Sequence, residues 1–426
     1  MTSRTHDGVG RTLTRRRLLL GGAALGAAGV AAAVVEVARG GRDGAIAAVP
    51  LGEAPAGLPE RQFAWNATLA LDEHGNPTPP RFNRLLFFDV ERTPSAAGAT
   101  VLEAALRSLE RRFSWGPSGL LFAVGWGPSY FTRALAADSP IPAAKALSQF
   151  ELPTIDRFDM VLHLAGDDEG RLARIERAVT GRAPVAGVPE SIDVSSVLTW
   201  RETRTGFVGP GLPAGHQHVG GIPHGSPVPR SAPLFMGFKS SLRRNQASED
   251  AVAIPSGPFA GGTTMAVSYM RLRLDSWYGD LDERQRVALM YAPQVTPADV
   301  RRVTTDPPTD ARSLRSTIRR DGMIGHAQTT AAARRNGKPV ILRRDFDTVD
   351  GGQAGLHFVS LQRTIDDFVR TRTAMNASSA QLANPAITNT DNNGINAFIF
   401  VLKRGNYLIP PRRARSFPDL DGHSRL

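Results

Sequence analysis

The 426-residue sequence contains no cysteine. That excludes disulfides, thiolate nucleophiles, cysteine-held iron–sulfur clusters and a cysteine-ligated haem. An exported protein without disulfides must draw its stability from its core or from a cofactor. Aromatic residues are sparse, at 7%. No basic run is interleaved with them in the way a nucleic-acid groove requires, so no nucleic-acid partner is expected. Acidic residues are outnumbered, giving a net charge of +11. Residues 1–47 carry seven Lys/Arg and three Asp/Glu, which leaves 44 basic against 37 acidic residues, or +7, for the remainder. Such a mild excess fits a soluble, arginine-rich surface.

What is present begins with a leader. Thr14-Arg15-Arg16-Arg17-Leu18-Leu19 precedes an Ala/Gly-rich apolar run from Leu18 to Val35, and Ala45-Ile46-Ala47 offers a small-residue cleavage site. Basic, apolar and small-residue regions in that order mark an export signal, and the arginine pair resembles the twin-arginine type. The twin-arginine translocase is then a partner and the location extracytoplasmic: secreted, in the cell envelope, or membrane-anchored if the leader stays uncleaved. The 18-residue run is marginally long enough to span a bilayer.

Residues 48–80, rich in Pro, Gly and Ala, read as a linker or arm. The next segments read as strand (Arg84 to Val90), helix (Ala97 to Arg112), strand (Gly119 to Trp126), strand (Phe158 to Ala165), helix (Glu169 to Val179) capped by Gly166-Asp167-Asp168, and a strand near Val197 to Arg201 or Thr203 to Val208. This is the split βαβ, ferredoxin-like order. After a Gly/Pro loop from Gly209 to Arg230, the composition repeats. A strand covers Gly261 to Leu274, a helix Asp275 to Leu289, a strand or helix start His357 to Leu361, a helix Thr364 to Asn376, and a last edge Asn406 to Pro411. The expected class is α+β with two ferredoxin-like domains, residues 81–230 and 231–426.

Three histidines, His216, His218 and His224, lie in the Gly/Pro loop. Their spacing could ligate copper or zinc, but a flexible loop with no nearby carboxylate does not pre-organise ligands. His163 and His357 sit in apolar runs and read as satisfied core residues. Trp126, Trp277 and Tyr278 read as core or helix-face residues. The stretch from Gly325 to Gly352 holds His326 and, after sixteen intervening residues, Arg343-Arg344. A neutral imidazole can ligate a metal, and arginine is a fixed cation with a planar donor fork. Together they could supply an axial ligand and a polariser of an anion or peroxide. Equally, they could be a surface histidine before a basic linker, with Arg343 paired to Asp345 or Asp347.

Several segments resemble the dye-decolourising (DyP-type) haem peroxidases. Gly237-Phe238-Lys239 matches the start of a G-F-x-D-G motif. Ala260-Gly261-Gly262-Thr263, with the strand to Arg271-Leu272-Arg273-Leu274 and Trp277, resembles the family's Gly-Gly strand, Thr264 standing where an aromatic is usual. Gly325-His326 and Arg343-Arg344 match the proximal histidine and the downstream L-R-R. The run Asp350-Gly351-Gly352-Gln353-Ala354-Gly355-Leu356-His357-Phe358 to Gln362-Arg363 is the most specific match. Phe158 to Asp168 and Pro410-Pro411 extend the likeness over roughly residues 80–412.

The resemblance implies haem b held by His326 as axial iron ligand, Gly237 and Phe238 beside it, and Arg343 as the distal arginine. It also implies hydrogen peroxide and an organic electron donor as reactants; association into a homo-oligomer stays open. The family's distal aspartate falls at Ser240 and its glycine at Ser241, and Asp345-Phe346-Asp347 replaces a Gly-Tyr type continuation. Glu249 and Asp250 are candidates to reach in where the acid is missing. Three readings follow: an exported haem peroxidase, a non-catalytic haem- or ligand-binding relative, and a structural α+β protein with an empty pocket.

Overall fold

The computed structural model describes residues 46, 49–73, 75–182, 192–239, 246–302 and 310–426. Contacts divide the chain into Met1–Ala45 and Ile46–Leu426. The leader up to Ala45 lies outside the described residues, as do Ala47, Ser240 and Ser241. Among the described residues no helix is long and apolar enough to cross a membrane.

The strands are β1 (Phe82–Val90), β2 (Leu121–Trp126), β3 (Thr154–Ile155), β4 (Met160–Gly166), β5 (Leu198–Phe207), β6 (Thr263–Leu272), β7 (Ile341–Arg343), β8 (Phe346–Thr348), β9 (Gly355–Gln362) and β10 (Ile399–Ile409). Among the described residues they form one sheet ordered β2-β4-β1-β5-β8-β9-β6-β10-β3, with β7 also on β9. A further pairing, Leu408 with Trp126, joins β10 to β2 and closes the sheet into a barrel. All pairings are antiparallel except β10 with β3. The first-half strands run β2-β4-β1-β5 and the second-half strands β8-β9-β6-β10. Both are ferredoxin-like orders, so the α+β class with two such units is what the chain adopts.

Alternation along the strands builds two layers of core. On β1, Leu85 and Phe87 meet Leu121, Val161, Met265, Val359 and Tyr407 from across the barrel, forming its interior. Leu86 and Phe88 point the other way, onto the helices Ala96–Arg112 and Glu169–Val179. The second of these starts at Asp168, whose carboxylate accepts from the Arg171 N–H at 2.8 Å. A third cluster lies around Trp277, Met290 and Tyr291.

Several expected elements shift. The two alternatives for the fourth strand are one continuous strand, β5, with a register shift between Phe87 and Phe88 on its partner β1. The helix expected over Asp275 to Leu289 is two, Leu274–Gly279 and Glu283–Met290. The break comes at Asp282, which caps the second helix through the Gln285 N–H and is itself held by the Gln285 side chain. Asn406 to Pro411 is no edge: most of it lies in β10, paired on one side with β6 and on the other with β2 and β3. The Pro-rich arm is anchored at Gln62, which donates to the Pro410 carbonyl and accepts from the Val124 N–H. Phe63 and Trp65 thereby enter the barrel core.

Candidate functional site

The site lies where β6, β9 and β10 meet the segment from β7 to β8. That segment reads Ile341-Leu342-Arg343-Arg344-Asp345-Phe346-Asp347. A period of two sends Arg343, Asp345 and Asp347 to one face and Arg344 and Phe346 to the other. The first three line one partly enclosed cavity. Arg344 instead stacks on Trp65, 4.0 Å from its ring centre, and pairs with Glu249 at 3.0 Å.

His326 enters the same cavity from a one-turn helix, His326–Thr329. Gly325 caps that turn, its N–H donating to the Gln328 side chain at 3.0 Å. A Cβ on Gly325 would sit 2.1 Å from the Tyr291 carbonyl oxygen, and one on Gly394 would sit 2.9 Å from the His326 Cα. Glycines at both positions therefore let the backbone carry His326 to the cavity wall. The imidazole Nδ1 is enclosed and has no hydrogen-bond partner. Burial, then the positive charges of Arg343 and Arg372, push His326 down to about 4. The ring is neutral at physiological pH, the form that ligates a metal.

The remaining walls are mostly apolar, including Met236, Phe238, Met270, Met290, Phe358 and Phe368. Arg372 and Arg404 complete them. Both are tied to Glu151, with Arg372 Nε at 2.7 Å and Arg404 Nη1 at 2.9 Å from its carboxylate oxygens. Burial alone would raise the Glu151 carboxyl; the two arginines outweigh it and hold the group below its ordinary value. Burial pushes Asp345 up, moderated by Arg343. It pushes Asp347 well above the carboxylate range, moderated by the Phe235 N–H and reinforced by Asp345.

The cavity thus brings together His326, Arg343 and Phe238. Gly237 is not in its wall; with φ at +90° it turns the chain just before Phe238. Glu249 and Asp250 do not reach in, because Glu249 holds Arg344 and the Trp65 and Asn66 N–H groups while Asp250 pairs with Arg61. His163 is a core residue bonded to Asn83 at 2.9 Å, and His357 is bonded to Asp350 at 3.0 Å. Trp126 and Trp277 are buried in the core, their indole N–H groups donating to the Arg415 and Met236 carbonyls. His216 stacks on Phe207 at 4.1 Å and is bonded to the Leu212 carbonyl, while His224 is exposed. Among the described residues no group of three His, Asp or Glu side chains could hold a metal ion. Sequence reasoning missed Glu151, Arg372 and Arg404. The one local signal was the basic pair Lys403-Arg404 inside the largely apolar β10.

Residues 80–411 match the model of a family of unknown function, DUF7405. No curated protein sequence matches the chain. Among solved structures, a Rhodococcus jostii RHA1 DypB variant in complex with heme is 13% identical, with a TM-score of 0.56 over 84% of this chain and 99% of that one. A dye-decolorizing protein from V. cholerae is 14% identical, with a TM-score of 0.53 over 83% and 99%. A DyP-type peroxidase from Cellulomonas bogoriensis is 19% identical, with a TM-score of 0.53 over 86% and 95%. At these identities the likeness is one of fold. The chain belongs to the DUF7405 family, and its fold is similar to that of the DyP-type peroxidases.

Proposed function

We propose that this chain is an exported haem-binding protein with peroxidase-type activity, oxidising an organic donor at the expense of hydrogen peroxide. The observation that carries the reading is the meeting of neutral His326 and Arg343 in one largely apolar cavity. Those residues fit haem b: a planar apolar macrocycle suits the Met and Phe walls, and the imidazole of His326 would be the donor to its iron. Bound haem would supply the electron exchange with peroxide. His326 orients and anchors it. Arg343 offers fixed N–H donors to an oxygen on which negative charge develops. Arg372 and Arg404, held by Glu151, would offer positive charge to the carboxylates of such a cofactor. The leader supports export by the twin-arginine translocase, and the heme complex of the Rhodococcus jostii relative supports the choice of cofactor.

The unpartnered Nδ1 favours a second reading, a haem- or ligand-binding module without turnover. Metal-ligating histidines commonly donate their other N–H to a carboxylate or carbonyl, which raises ligand basicity, and His326 has no such partner. The absorption spectrum of the purified protein after haem supply tests both. A Soret band that His326→Ala abolishes is expected; no band, or one that survives the substitution, would sink both. Peroxide-dependent dye oxidation then separates them, since the second reading expects none.

A further inference from the structure

Three arginines converge on a second cavity, which shares no lining residue with the one around His326. It lies between the end of the helix Ala96–Arg112, the loop into β2 and the helix Glu169–Val179, and its walls include Arg112, Phe113, Ser114, Ser118, Arg171 and Arg174. The loop is tightly turned: the Leu120 N–H donates to the Ser114 carbonyl at 3.0 Å, and a Cβ on Gly119 would sit 2.0 Å from that oxygen. Arg171 is fixed to this loop, its Nη1 donating to the Ser118 carbonyl and, at 2.9 Å, to the Gly119 carbonyl. The guanidinium carbons of Arg112 and Arg171 lie 5.5 and 5.9 Å from the centre of the Phe113 ring, within cation–π reach. Arg174 follows Arg171 by three residues and so shares its helix face. It is exposed, and no carboxylate pairs with it among the described residues.

No carboxylate is among the described residues that line this cavity. Asp168 stands outside it, with Oδ2 3.6 Å from Arg171 Nη2, beyond hydrogen-bonding reach, and lies in the field of both Arg171 and Arg174. One carboxylate against three fixed cations leaves the concavity positive, and a cleft lined by one sign of charge concentrates counter-ions. We propose that this cavity is a binding site for the phosphate group of a phosphate monoester. Guanidinium forks match phosphate oxygens, and a tetrahedral dianion presents more oxygens to three arginines than a carboxylate does. The Ser114 and Ser118 hydroxyls can donate to the same group. The site is independent of the haem reading and would stand without it.

Calorimetric titration of the full chain with glycerol 2-phosphate, at constant ionic strength in a buffer free of other multivalent anions, tests the site. Saturable binding is expected, with acetate weaker by about tenfold or more. Arg174→Gln removes an exposed side chain that has no ion pair, so the thermal midpoint without ligand should be unchanged while affinity falls by about tenfold or more. Arg171→Gln should weaken binding at least as far. Arg177→Gln, the same loss of charge on the same helix but outside the cavity wall, should alter affinity by less than about twofold, because exposed charges are screened. Parallel titrations with inorganic phosphate, and sedimentation with phosphatidylcholine vesicles containing phosphatidic acid, tell a free ion or a lipid headgroup from a soluble ester as the source of the phosphate. Absence of saturable binding to all three phosphate probes, acetate binding as tightly as phosphate, or equal losses from Arg174→Gln and Arg177→Gln would each overturn the site.

Discussion

At the scale of single residues, the site depends on atoms that are missing as much as on those present. Gly325 has no Cβ because the Tyr291 carbonyl occupies its place. Gly325→Ala must push the His326 turn away from Tyr291, and overpacking of this kind costs about 1–3 kcal/mol. The expected outcome is a lower denaturation midpoint together with a weakened Soret band. A stable protein with an undisturbed band would show that the turn can shift without moving the imidazole.

The elements around the cavity are joined by buried ion pairs rather than by apolar contact alone. Glu151, from the loop before β3, clamps Arg372 on its helix and Arg404 on β10. Removing one partner of a buried pair leaves an uncompensated charge and costs about 3–5 kcal/mol. Glu151→Ala should lower stability by that order in denaturant titrations, and a loss under ~1 kcal/mol would show that the arginines find water instead. A similar clamp holds the C-terminal segment, where Arg415 is paired with Glu103 and Glu110 on the helix Ala96–Arg112. Burial would raise the Glu103 carboxyl, but Arg415 and its neighbours bring it below its ordinary value. Arg415→Ala should therefore destabilise the chain by a comparable amount in denaturant titrations, and an unchanged midpoint would show that Glu103 and Glu110 find other partners.

At the scale of the whole molecule, buried titrating groups set a stability optimum. His326 is depressed to about 4 and His163 to about 3, both by burial first. Between those values and an unfolded value of about 6.5, the unfolded chain binds more protons than the folded one. Stability is full above about pH 6.5 and falls as pH drops through that window. Asp347 has the opposite sign: its folded value is raised, so its contribution is present at low pH and is lost as pH rises through the folded value. Thermal melts across pH should show His163→Leu flattening the acid limb and Asp347→Asn flattening the limb toward higher pH. Unaltered limbs would mean that neither group changes protonation on unfolding.

The sequence by itself determined the local elements and the pieces of the site. Apolar runs of strand length, the Asp168 cap and the helical spacing over Ala96–Arg112 are encoded within a few residues, so they are legible from a window of the chain. The His326 and Arg343 spacing was legible as a motif, and the nearness of Asp345 and Asp347 to Arg343 in the chain made them its candidate partners. Only the tertiary structure decided which face of that segment met the cavity, because strand period fixes alternation but not which side is buried. It alone brought Glu151 to Arg372 and Arg404 across 221 and 253 positions. It alone removed Glu249 from candidacy by giving it to Arg344. Barrel closure through β5–β8 and β10–β2 was likewise invisible to local pattern, since long-range strand pairing is settled by packing of whole layers rather than by the composition of either strand.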